Sequence, residues 1–145
     1  MAIPTKTKKA RVLLAKSEME AHDRGIRYVA TVLRDAGFEV ILIRYEIPDE
    51  VVKTAMEESV DVIGLTFYSG GVMHDTSVIM RLLKEQGMND IAVIIGGVIP
   101  KTLIPRLKEM GIAKVVGPGD SIKKVVEFII GKTTECIPLS RLKDR

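Results

Sequence analysis

The sequence predicts an α/β domain: a doubly wound, five-stranded parallel sheet of order 2-1-3-4-5 with helices on both faces. Two observations carry that expectation. Short apolar runs alternate with longer amphipathic stretches from Arg11 to Ile130, and parallel neighbours need crossover connections of this kind. The length of 145 residues fits one domain, and it excludes a complete (β/α)8 barrel, which takes about 250 residues.

Each element has its own signal. Arg11–Ala15 is a short apolar run, as expected of a strand covered on both faces. Apolar residues Ile26, Val29, Ala30, Val32 and Leu33 recur at helical spacing from Arg24 to Ala36, and Gly37 stands where a left-handed glycine ends such a helix. Phe38–Ile43 is the second strand. Pro48 opens the next helix, whose inner face carries Val51, Val52, Ala55 and Met56. Val60–Thr66 is the third strand, followed by a glycine-bearing loop and a helix from Met73 to Glu85. Ile91–Ile95 is the fourth, ending in Gly96-Gly97, and a helix near Thr102–Met110 stops at Gly111. Ala113–Val116 is the fifth, and Asp120 or Ser121 caps a last helix that Gly131 ends. Residues 1–9 read as a basic arm and 132–145 as a tail. Met19, Met56, Met73, Met80 and Met110 read as packing residues.

Composition narrows the function. A single cysteine, Cys136, allows no internal bridge and suits a reducing cytoplasm. No apolar run approaches the roughly 20 residues of a membrane span, and no apolar segment follows the basic start. A net charge of +3 with 4% aromatic residues gives no nucleic-acid signature.

Ligands of such sheets bind beyond the carboxyl ends of the strands at the switch point, here between the first and third strands. Lys16–Arg24, Thr66–Val72, Gly96–Pro100 and Gly117–Asp120 converge there. The carboxylates of the first loop argue against a phosphate cradle, and a phosphoryl-accepting domain would want acidic residues where this chain has Lys16 and Thr66. Glu20 and His22 form a different pair. One ring nitrogen can hold a metal while the other donates its proton to the carboxylate, fixing the tautomer. One histidine does not make a zinc site, which takes three or four protein ligands. It suffices where a macrocycle supplies the rest. Taken alone, Lys16 and Glu20 also fit an ordinary ion pair, Gly96-Gly97 and Gly70-Gly71 fit tight turns, and His74 fits an exposed helix start.

Glu20-Ala-His22-Asp23-Arg24-Gly25, Leu33-Arg-Asp-Ala-Gly-Phe-Glu-Val40, Asp61-Val-Ile-Gly-Leu65, Gly96-Gly97-Val-Ile-Pro100 and Gly117-Pro118-Gly119 resemble, in order and spacing, the cobalamin-binding domain of the B12-dependent acyl-CoA mutases. The likeness is to the methylmalonyl-CoA mutase type and covers roughly Lys9 to Ile130. That family has Asp-x-His-x-x-Gly, and Glu20 replaces the Asp. The resemblance implies a flavodoxin-like domain over 10–131 and His22 as lower axial ligand of cobalt in adenosylcobalamin, in place of the cofactor's own base. Glu20 and Lys16 would form a relay behind it. Cofactor contacts would come from Glu20, His22, Asp23, Arg24 and Gly25, from Thr66, Tyr68, Ser69, Gly70 and Gly71, from Gly96 and Gly97, and from Gly117, Pro118 and Gly119. The displaced nucleotide tail would run into a slot beside the sheet. Thr66 stands where the family has Ser, Tyr68 where it has Leu, and Val72 where it often has His.

The resemblance also implies a small subunit, inactive alone, that docks onto a large subunit whose (β/α)8 barrel binds an acyl-CoA for radical carbon-skeleton isomerisation. No helical cap of the kind that precedes such domains in corrinoid methyltransferases fits before the first strand. The rival is a noncatalytic corrinoid carrier or sensor, or a scaffold that has lost its ligand.

Overall fold

In a computed structural model the described residues are 10–134, apart from Ser69 and Pro118. The expectations for the basic arm, Ser69, Pro118 and Cys136 lie outside them. The strands are β1 (Arg11–Ser17), β2 (Glu39–Tyr45), β3 (Val62–Phe67), β4 (Ala92–Gly97) and β5 (Lys114–Val116). The helices are α1 (Arg24–Asp35), α2 (Asp49–Glu58), α3 (Val72–Glu85), α4 (Ile104–Glu109) and α5 (Ile122–Thr134). All neighbouring strands pair in parallel, in the order β2-β1-β3-β4-β5. The predicted sheet is the observed one.

Alternation along the strands divides the core into two layers. Leu13, Ala15, Ile63, Leu65, Val93 and Ile95 pack with Val51, Val52, Ala55, Ile79, Leu83 and Leu107 of α2, α3 and α4. Val12, Leu14, Val62 and Ile94 point the other way, toward Ile26, Ala30 and Leu33 of α1 and Val125 and Ile129 of α5. Three helices thus cover one face and two the other.

Boundaries differ where polar residues find partners. β1 and β2 run on to Ser17 and Tyr45 because Lys16 and Arg44, register partners, both reach the carboxylate of Asp23. The predicted fourth helix divides into a 3-10 turn, Lys101–Leu103, and α4, with Pro105 in its first turn, where a missing N–H costs nothing. α5 continues through Gly131 to Thr134. An internal glycine costs a helix only about 1 kcal/mol, so Gly131 does not terminate it. Gly37 does end α1, at φ +101° with its N–H on the carbonyl of Arg34. Ser121, not Asp120, caps α5 by accepting the Lys123 N–H at 3.2 Å, while Asp120 accepts the Gly117 N–H at 2.8 Å. Among the methionines, Met73, Met80 and Met110 pack on the core, but Met19 and Met56 are exposed and do not.

Tyr45, at the end of edge strand β2, is buried and donates its hydroxyl to Asp75 Oδ2 at 2.7 Å in the first turn of α3. Burial first, then the carboxylate, pushes its phenol far above the ordinary range. A hydrogen bond to a charged group is worth about 1.5–3 kcal/mol. Tyr45→Phe should therefore lower unfolding free energy by about 2 kcal/mol in urea titrations, and an unchanged midpoint would remove this bond from the account.

Candidate functional site

The loop after β1 is shaped by its main chain. The Glu18 N–H bonds the carbonyl of Tyr45 at 2.8 Å, carrying the β1–β2 ladder one step further, and the Glu20 N–H returns to the carbonyl of Ser17 at 3.0 Å. This turn leaves Met19 at the crest, 92% exposed, and folds Glu20 inward to 7%. The inward carboxylate is engaged on both oxygens. Oε1 accepts the Tyr68 N–H at 3.2 Å; Oε2 accepts the His22 N–H at 3.2 Å and lies 2.5 Å from His22 Nδ1.

An ionised carboxylate only accepts, so Nδ1 is the donor of this contact, and in the neutral ring the lone pair then falls on Nε2. The His22 side chain is 63% exposed. Its ring is thus fixed from within and open outward, which is the orientation a ligating histidine needs. The added methylene of Glu20 relative to Asp does not prevent the contact.

Lys16, 2% exposed, is the most deeply buried cation among the described residues. Its ammonium donates to the main-chain carbonyl of Glu20 at 2.5 Å and pairs with the carboxylate of Asp23. Asp23 also pairs with Arg44 and lies 3.5 Å from Arg27. It occupies the N-cap position of α1 without capping, since its carboxylate is turned to these cations. The hydrogen bond from Lys16 holds the Asp23 carboxyl below the usual carboxylate range, and Arg44 and Arg27 add to the shift.

Below the loop a cleft of about 290 Å³ opens between the sheet and the α1–α5 layer. Its walls are mostly apolar: Val12, Leu14, Val62 and Ile94 from the strands, Val29 and Leu33 from α1, Val125 and Ile129 from α5. Gly25, Thr66, Tyr68, Gly96, Gly97 and Gly117 rim it. Gly96 lies on the same strand face as Ile94, and a Cβ there would meet only the carbonyl of Val116, at 3.7 Å. A side chain at 96 would fill the cleft, and its absence leaves room.

Gly97 answers to a different constraint. It has φ +111°, and a Cβ would overlap the carbonyl of Phe67, which accepts the Val98 N–H at 2.9 Å. Arg24, Gly70, Gly71 and Gly119 are exposed, outside this cleft. Gly70 and Gly71 border a second hollow, of about 440 Å³, with Met73, His74, Val98 and Leu103. His74 is exposed in the first turn of α3.

Arg44 and Tyr28 belong to the neighbourhood but escaped the sequence reading. Arg44 becomes visible only through its register with Lys16, and Tyr28 only as a cleft wall, which it shares with Asp120 of the converging Gly117–Asp120 segment.

A family model for the B12 binding domain matches residues 10–127. This chain belongs to the B12-binding domain family. Among its curated relatives, the 2-hydroxyisobutanoyl-CoA mutase small subunit of Aquincola tertiaricarbonis is 43% identical over 107 residues, 73% of this chain and 79% of that one. The pivalyl-CoA mutase small subunit of Xanthobacter autotrophicus is 37% identical over 124 residues, 85% and 83% of the two chains. Methylmalonyl-CoA mutase of Escherichia coli is 36% identical over 129 residues, which are 84% of this chain but 18% of that enzyme.

Solved structures agree on the fold. A cobalamin-binding protein from Desulfitobacterium hafniense superposes with a TM-score of 0.72 at 24% identity, covering 86% of this chain and 59% of the other. The receiver domain of NarL from Mycobacterium tuberculosis gives 0.67 at 13%, covering 88% and 98%. Both likenesses are of fold alone. The strand ends of this B12-binding domain carry Lys16 and Thr66 as register partners, not a pair of acids.

The donor set fits a corrinoid. Among the described residues no three His, Cys, Asp or Glu side chains gather to hold a bare metal ion. A single outward imidazole suits a metal already held by a macrocycle, and the apolar cleft beside it has room for an appended group. Also among the described residues, no helix is long and apolar enough to cross a membrane.

Two outcomes follow. Asp23 is depressed, so its contribution to stability is complete above the ordinary carboxylate value and vanishes as pH falls through the lower, folded value. The stability gap between the parent protein and Asp23→Asn should be widest at about pH 6 and close toward about pH 2; a gap constant across that range would show that the Asp23 charge is not what stabilises the loop. Gly97→Ala should cost about 1–3 kcal/mol, while Gly96→Ala is nearly neutral, as read by urea unfolding. Equal costs at the two positions would refute the assignment of different constraints.

Proposed function

We propose that this chain is the cobalamin-binding small subunit of a B12-dependent acyl-CoA mutase, acting with a separate large subunit whose (β/α)8 barrel binds the acyl-CoA. The observation that carries this reading is the outward His22 imidazole, tied at Nδ1 to the buried carboxylate of Glu20 at 2.5 Å above an apolar cleft. The identity to two mutase small subunits, along most of both chains, supports it.

His22 Nε2 is the atom that would hold the cobalt, and Glu20 would keep the proton on Nδ1, fixing the tautomer and raising the basicity of the ring. Lys16 and Asp23 hold the loop that presents this pair. Gly96, Thr66, Gly25 and Gly117 border the space for the nucleotide tail. Bound adenosylcobalamin supplies a cobalt–carbon bond whose homolysis opens radical isomerisation of a carbon skeleton. The chain contributes ligation, orientation and exclusion of water, and the large subunit contributes the substrate. A soluble protein of the cytoplasm is the setting this implies.

Absorbance titration with adenosylcobalamin tests the reading. The parent protein should bind with displacement of the cofactor's own base, and Glu20→Ala should weaken binding by about 10–100-fold. Paramagnetic resonance of the cobalt(II) form, with uniformly nitrogen-15-labelled protein, should show a labelled nitrogen on the metal, absent in His22→Ala. An unlabelled axial nitrogen would sink the histidine assignment. Binding without any isomerisation in the presence of the large subunit and acyl-CoA would favour a carrier or sensor instead.

A further inference from the structure

Tyr68 follows the last residue of β3 and spans the upper end of the cleft. Three observations define its position. Its N–H is bonded to Glu20 Oε1 at 3.2 Å, which pins the backbone to the carboxylate that orients His22. Its ring lies 5.2 Å from the His22 ring, centroid to centroid, inclined at 37°. Its hydroxyl is seated against Gly25 at the start of α1, in the place a Cβ would take, so any larger residue at 25 would collide with it. The side chain therefore reaches from the sheet to the opposite wall, with the imidazole beside its ring and the cleft along its flank. The missing Cβ of Gly25 and the added hydroxyl of Tyr68 are complementary.

We propose that Tyr68 is the residue that controls admission of the corrinoid's nucleotide tail: its phenol closes the passage from His22 into the cleft and has to leave its seat on Gly25 before the tail goes in. This rests on the proposed cobalamin-binding role. The backbone of Tyr68 is fixed through Glu20, so the motion is a side-chain rotation that leaves the Glu20–His22 pair undisturbed. The phenol is polar at one end and apolar along its length, which suits a side chain that moves between cleft and solvent. A protein whose admitting conformer is the minor one binds more weakly and more slowly in proportion to the fraction that is open. The gate acts only on a corrinoid that carries a tail.

Stopped-flow absorbance with two probes, adenosylcobalamin and adenosylcobinamide, which lacks the nucleotide, separates the gate from the rest of the site. Tyr68→Leu should speed association of adenosylcobalamin about tenfold and leave that of adenosylcobinamide unchanged. Tyr68→Phe, which keeps the ring, should follow the parent protein. Tyr68→Ala has the same expectation as the leucine variant and replaces it should circular dichroism show that variant misfolded. Equal rates for parent and ring-deleted proteins with adenosylcobalamin, or equal acceleration with both probes, would overturn the gate while leaving cobalamin binding intact. Failure of the parent protein to take up either probe would overturn both the gate and the function it rests on.

Discussion

An ammonium group removed from water has to be answered by opposite charge and by hydrogen-bond acceptors, and this requirement at Lys16 organises the site. The lysine projects from the end of a central strand, where neighbouring strands bury it. Its acceptors, the carbonyl of Glu20 and the carboxylate of Asp23, bracket the short segment that bears His22. Satisfying one buried charge thereby folds the loop down onto the sheet, turns Glu20 inward, and leaves the imidazole facing out. Arg44 and Arg27 share the same carboxylate and tie that loop to the edge strand and to the first helix. The histidine is presented by electrostatics at a distance from itself.

The sheet supplies the second ingredient through unequal cover. On the face of α2, α3 and α4 large aliphatic residues fill the space between layers. On the other face two helices, and glycine where β4 would bring a side chain, leave a cavity. The outward imidazole and the space beside the sheet come from adjacent strand ends, which is the usual consequence of a switch in winding direction between β1 and β3.

The architecture was readable in the chain because its signals are local: apolar runs, helical spacing and glycine stops each report on a few residues. The Glu20–His22 relation was readable for the same reason, two residues apart on one loop. What escaped was long-range. Nothing near Asp23 announces that it answers Lys16 and Arg44 in place of capping its own helix, because that depends on strand register. Nothing near Gly25 announces a tyrosine 43 residues later, a separation given by Gly25 and Tyr68 themselves. Met19 and Met56 misled, since residue type alone does not distinguish a buried methionine from an exposed one. Gly131 misled likewise: a stop signal is a preference of about 1 kcal/mol, and α5 runs through it to Thr134.

The thinly covered face has a bearing on how long the protein lasts. A domain that keeps an open cleft beside its sheet forgoes the contacts that would have filled it, and whatever occupies the cleft restores them. Occupancy then raises resistance to unfolding by mass action. Proteases act on the unfolded fraction, so the amount of this protein in a cell would follow the supply of its vitamin, with no dedicated regulator required.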